Sequence, residues 1–186
     1  MKKNLILIIS FIAIIFLGRV FPHPYNFTPL IAVTLLSSYT LSNKLLAITI
    51  PLFGFWLSDL FMNNIIYAGY FPDITLFNSG MIWTYGAIVL VALMGSSSLD
   101  KISSSKVLLA SLSGSTIFYF ISNFGVWAFS PMYAKNLTGL FQCYSLALPF
   151  YGTSLIGDLI YCGILFGIYQ LAFSNTPSFL TTQSKT

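Results

Sequence analysis

The chain reads as six apolar blocks separated by short polar intervals: residues 4–21, 27–42, 45–62, 79–95, 106–128 and 150–173. A membrane-crossing helix needs ~20 mainly apolar residues, with a usable range near 17 to 25. Six transmembrane helices are therefore predicted, the second the shortest. Between them lie "PHPYN", "SNK", "NNIIYAGYFPDITLFNS", "SSSLDKISSS" and "SPMYAKNLTGLFQCYSL". None is long enough for a soluble domain, so residues 1–186 are expected to form one all-α transmembrane bundle. The halves show no internal repeat, which argues against an inverted-repeat transporter.

Composition strengthens this picture. Of 186 residues, 56% are hydrophobic, 17% aromatic and only 6% charged, whereas a soluble domain carries about a quarter charged residues. Glutamate is absent and aspartate occurs four times. The net charge of +4 is not a nucleic-acid signal, because the basic residues form no stripe or cluster. They report orientation instead. With the N-terminus inside, Lys2, Lys3, Lys44, Lys101, Lys106 and Lys185 fall on the inner side, and only Arg19 and Lys135 on the outer. The positive-inside rule then predicts both termini in the cytoplasm, and the KK start suggests a bacterial cytoplasmic (inner) membrane. The opening "MKKNLILIISFIAIIFLGRVF" also suits a signal peptide, but "LGRVFPHP" lacks a small-x-small cleavage site, so an uncleaved first helix is expected. Cys143 and Cys162 show no CxxC or other metal-ligand spacing.

That orientation sorts the polar groups. Arg19 ends helix 1, and His23 and Asn26 follow in the outer turn. Asp59 lies near the outer end of helix 3, and Trp83 in the outer half of helix 4. Asn123 and Trp127 close helix 5, Tyr144 lies in the outer connector, and Asp158 and Tyr161 lie within helix 6. These ten are the candidate substrate-binding residues, and all fall in the outer half.

Helical spacing aligns Pro51, Phe55 and Asp59 on one face. It does the same for Thr116, Tyr119, Asn123 and Trp127, and for Ser154, Asp158, Tyr161 and Cys162. A carboxylate within a span costs ~2.5–3.5 kcal/mol on insertion scales, so such groups face the bundle interior or a wet cavity. A pocket open to the outside is the expectation, with Asp158 its leading residue.

Structural readings stand beside the functional one. Asp59 could be a solvated helix end, and Asp158 a partner of Arg19 or an amide. Trp83 and Trp127 could form an interfacial belt. His23 between prolines suits a rigid turn better than a metal site. Cys162 suits the core, and Cys143 sits at the outer mouth with nothing beside it to complete a metal site. Gly163 and Gly167, and Ala110 and Gly114, form small-xxx-small pairs that suit either bundle packing or a partner's docking face. No HExxH, GxSxG or phosphate-binding GxxxxGK[ST] motif occurs. With one histidine and no glutamate, neither an enzyme nor a cofactor is expected.

The runs "RVFPHPYNFTPLIAV", "SD" at 58–59, "FYFISNFGVWAF", "MYAKNLTGLFQCYSLALPFY" and "GDLIYCGILFGIY" resemble an uncharacterised family of small bacterial membrane proteins. That family in turn resembles the substrate-binding S components of energy-coupling factor (ECF) vitamin transporters. The resemblance implies six helices, a vitamin-like ligand near the outer face, and docking on a transmembrane coupling protein with two ATPases. The docking motif that S components often carry on their first helix is missing here, and Ala32 is followed four residues on by Leu36. The expected function is uptake of a small organic nutrient. The rivals are a membrane scaffold or assembly protein without a ligand, and an intramembrane aspartate enzyme.

Overall fold

In a computed structural model, residues 2–70 and 73–173 are described, with side chains from residue 5 onward. The described residues form six α-helices: α1 (Lys2–Val20), α2 (Leu30–Thr40), α3 (Lys44–Phe61), α4 (Met81–Ser98), α5 (Ser104–Phe129) and α6 (Leu137–Phe173). A π-helical turn, Met62–Ile66, extends α3. No strand occurs among the described residues. Four helices are long and apolar enough to cross a membrane: α3 with its extension, α4, α5 and α6. The apolar part of α1 and the whole of α2 are shorter.

The second helix is shorter than its expected range of 27–42. It has 11 residues, hence a length of ~16 Å against a hydrocarbon core of ~30 Å. Both limits have local causes. Pro29 stands at its start, and Asn43 caps the next helix, its Oδ1 accepting from the backbone of Leu45 at 2.9 Å and Leu46 at 3.3 Å. Residues 30–38 are all buried, and α1, α3, α4, α5 and α6 all pack on α2. A helix apolar on every side belongs in the middle of a bundle. Its hydroxyls turn inward to carbonyls: Ser37 donates to Ala47 at 2.9 Å and Ser38 to Ala92 at 3.0 Å.

The last helix is longer than expected. Residues 137–146, read as connector from the sequence, are helical and continuous with the 150–173 segment. Asn136 starts that helix, its Oδ1 accepting from Gly139 N–H at 2.9 Å. Pro149 lies inside it. A proline forfeits one helical hydrogen bond, and the flanking apolar turns outweigh that loss. Cys143 therefore sits in a helix and is buried, not displayed at an outer mouth.

The small-residue pairs separate. Gly114 is a packing position, since a Cβ there would come within 2.9 Å of Ile31. Gly163 and Gly167 meet nothing within 4 Å and instead line a groove of about 250 Å³ beside α5. Lys185 lies outside the described residues.

Candidate functional site

The polar turn after α1 folds for reasons written in its residues. Phe27 N–H donates to Pro24 C=O at 3.0 Å, and Asn26 holds φ = 61°. That places a positive φ at the third residue of the turn, as a type II turn requires, and asparagine tolerates it better than most residues. His23 braces the turn, with Nε2 3.3 Å from Arg19 C=O and Nδ1 2.7 Å from Pro24 C=O. Two rings then lock it down. Pro29 lies on Gly18, where a Cβ would meet its Cδ at 2.4 Å; Phe27 lies on Gly157 and packs against Tyr161 at 5.4 Å. The turn is a clasp joining α1 and α2 to α6.

Arg19 sits at the clasp's base and reaches α3. Its Nη1 donates to Asp59 Oδ1 at 2.6 Å, Ser58 Oγ at 2.6 Å and Phe55 C=O at 3.3 Å. Its guanidinium lies 3.9 Å from the Phe55 ring centroid, a cation–π contact. Ser58 passes its own hydroxyl hydrogen to Phe55 C=O at 2.6 Å. From α4, Tyr85 O–H donates to Asp59 Oδ2 at 3.1 Å. Asp59 is 8% exposed, so the solvated helix end is replaced by a buried carboxylate paired with a half-buried arginine.

Two cavities meet at Arg19. One of about 400 Å³ is bounded by Arg19, Asp59, Asn63, Thr84, Ser122 and Phe129, among others. Another, of about 450 Å³, lies beside His23, Asn26 and Tyr67.

Asp158 lies elsewhere. It is 1% exposed, and its Oδ2 accepts from Ser115 at 2.6 Å and from Ser154 at 3.3 Å. Arg19 is not its partner. Ser115 and Ser154 border a small cavity of about 90 Å³ together with Asn26 and Asn123; Asp158 stands behind them. The single pocket holding both carboxyls is thus resolved into two clusters.

The remaining candidates make contacts within the bundle. Trp83 covers Gly125, where a Cβ would meet its Cγ at 2.3 Å, and its ring packs on Phe124 at 5.1 Å. Trp127 Nε1 donates to Ala134 C=O at 2.9 Å, and Lys135 donates to Trp127 C=O, tying off the end of α5. Tyr144 O–H donates to Phe120 C=O at 2.8 Å. Asn123 Nδ2 donates to Tyr119 C=O at 2.8 Å. Among the described residues no trio of His, Cys, Asp or Glu is placed to hold a metal ion.

Asn63, Tyr85, Thr84, Ser115 and Ser122 were not among the ten candidates. Two were within reach: the i+4 series Pro51, Phe55, Asp59 continues to Asn63, and stepping back four from Tyr119 reaches Ser115.

The profile of a family of unknown function, DUF6580, matches residues 1–179. The chain belongs to that family. No curated protein and no solved structure matches it. The quoted motif residues of this family member now have physical roles: Arg19 grips the Ser58–Asp59 pair, and Asn26 shapes the turn. Phe27 and Pro29 fill the seats left by Gly157 and Gly18.

Proposed function

We propose that this protein is a substrate-binding membrane subunit that takes a small organic solute into the cavity at Arg19. The observation that carries this reading is the cavity itself. Its volume of about 400 Å³ falls within the ~300–1,000 Å³ of small-molecule sites. It combines an apolar wall of Phe55 and Phe129 with the polar groups of Arg19, Asn63, Thr84 and Ser122. The membrane topology belongs to the same proposal: six crossings, both termini cytoplasmic, and the cavity toward the outside of a bacterial inner membrane. In it α2 makes a short central crossing, completed by the non-helical residues at each end. Likeness to an ECF S component adds a coupling protein with ATPases, since the chain carries no phosphate-binding loop of its own.

Mass spectrometry of the protein purified in nanodiscs tests the reading. The wild type should retain a small molecule, and Thr84→Trp, which fills the cavity, should lose it while keeping its helix content. A wild-type protein free of any bound solute from every growth medium tried would favour the scaffold instead. A reporter at Asn136 should be labelled from outside and one at Ser103 should not.

A further inference from the structure

We propose that the cavity at Arg19 takes an organic carboxylate, held by the unshared edge of the guanidinium. This rests on the solute-binding reading above and names its ligand class. Arginine carries five N–H donors in a rigid fork. Here Nη1 alone makes the contacts to Phe55, Ser58 and Asp59. Among the described residues nothing is hydrogen-bonded to Nε or Nη2, although Arg19 borders both large cavities.

Asp59, which borders the same cavity, is more fully engaged. Each of its oxygens already accepts a hydrogen bond, one from Arg19 and one from Tyr85. The ion pair therefore presents spare donors to the cavity more than spare acceptors. Asn63 adds to that excess: it borders the same cavity, and its buried Nδ2 has no partner. A cavity with surplus donors selects an acceptor. A carboxylate matches two parallel guanidinium N–H groups in bidentate fashion. The Arg19 charge is already shared with Asp59, which suits a monoanion better than a phosphate dianion. Phe55 and Phe129 offer an apolar ring a place to lie.

Matched probes test this on the full chain in phosphatidylcholine nanodiscs. Benzoate, phenylacetate and 3-phenylpropionate are titrated against their amides, with melting temperature as readout, and any solute extracted from the purified protein is identified by mass spectrometry. Carboxylates should raise the melting temperature, and the amides should bind at least ~10-fold more weakly, the discrimination typical of a lost charge-assisted hydrogen bond. Arg19→Lys keeps a cation for Asp59 but loses the fork, so it should lose the preference. Asn63→Ala, which breaks no ion pair, should weaken the carboxylates even if Arg19→Lys does not fold.

Amides that bind as well as carboxylates would overturn the ligand class and leave the solute-binding reading standing. An extracted solute without a carboxylate would do the same when no probe binds; an extracted carboxylate would support the class. No probe binding and no extracted solute would remove both. Stabilisation by phosphatidylglycerol nanodiscs alone, lost in Arg19→Lys, would assign the donors to a lipid phosphate and overturn the carboxylate.

Discussion

Asp59 and Asp158 are the two aspartates buried among the described residues, each on a long apolar helix and each nearly shut off from solvent. Their surroundings differ in kind. Asp59 meets a cation, a phenol and a cavity; Asp158 meets two serine hydroxyls behind a cavity it does not line. Depth alone made Asp158 the leading residue in the sequence. Access reverses the order, because a solute can reach only groups that border space. A buried carboxyl is thus weak guidance to function until its partner and its access are known.

The sharpest way to break this contrast is to neutralise each acid in turn. Asp59→Asn leaves the half-buried Arg19 without its counter-charge; breaking a fully buried pair commonly costs ~3–5 kcal/mol, and this pair should approach the lower end. The melting temperature in detergent should fall accordingly, and the Arg19→Gln/Asp59→Asn double variant should recover most of the loss. A cost for Asp59→Asn no greater than that for Asp158→Asn would end the distinction drawn here.

A second test asks whether the clasp holds Arg19 in place. Gly18→Ala puts a methyl where the Pro29 ring already lies, with a Cβ–Cδ distance of 2.4 Å. Overpacking of this kind costs ~1–3 kcal/mol. Because Gly18 adjoins Arg19, that variant should also weaken solute binding. Unchanged stability would mean that the turn is not a clasp.

Asp158→Asn should be milder, at about 1 kcal/mol. An amide oxygen can still accept from Ser115 and Ser154, and no cation is stranded. Solute binding should survive it. Loss of binding with the fold intact would return Asp158 to the centre of the site.

These expectations rest on contacts that the sequence revealed unevenly. Six helices were legible because apolar runs of such length have few other uses, and α1, α3, α4 and α5 begin and end close to their expected limits. The limits of α2 and α6 were not. Residues 130–146 were read as connector, yet α6 runs from Leu137 through Pro149, because a single lost hydrogen bond does not end a helix flanked by apolar turns. His23 was legible as part of a rigid turn, but the positive φ of Asn26 was not, since it leaves no mark except the residue's tolerance for it. Which aspartate Arg19 would choose was open in the sequence. Both lie on helices that can approach its end, and only the packing of α1 along α3 decides for Asp59.

Asp100 supplies the smallest effect and the baseline for the others. It lies in the connector between α4 and α5, fully exposed, with Lys106 donating to its carboxylate. That hydrogen bond holds its carboxyl below the usual aspartate range. A depressed folded-state value stabilises the protein above the unfolded value of ~3.9 and is lost as pH falls through the lower folded one. Asp100→Asn should therefore lower the melting temperature slightly at neutral pH, and the difference should close on acidification below about pH 4. Salt should close it too, because exposed pairs are screened and contribute little. The Asp59→Asn difference should persist at high salt, since a buried pair is screened far less. If the two variants lost stability equally and responded alike to salt, the pair at Arg19 would be acting as an exposed one. The contrast between the aspartates would then fall, and with it the case for a desolvated cation at the solute cavity.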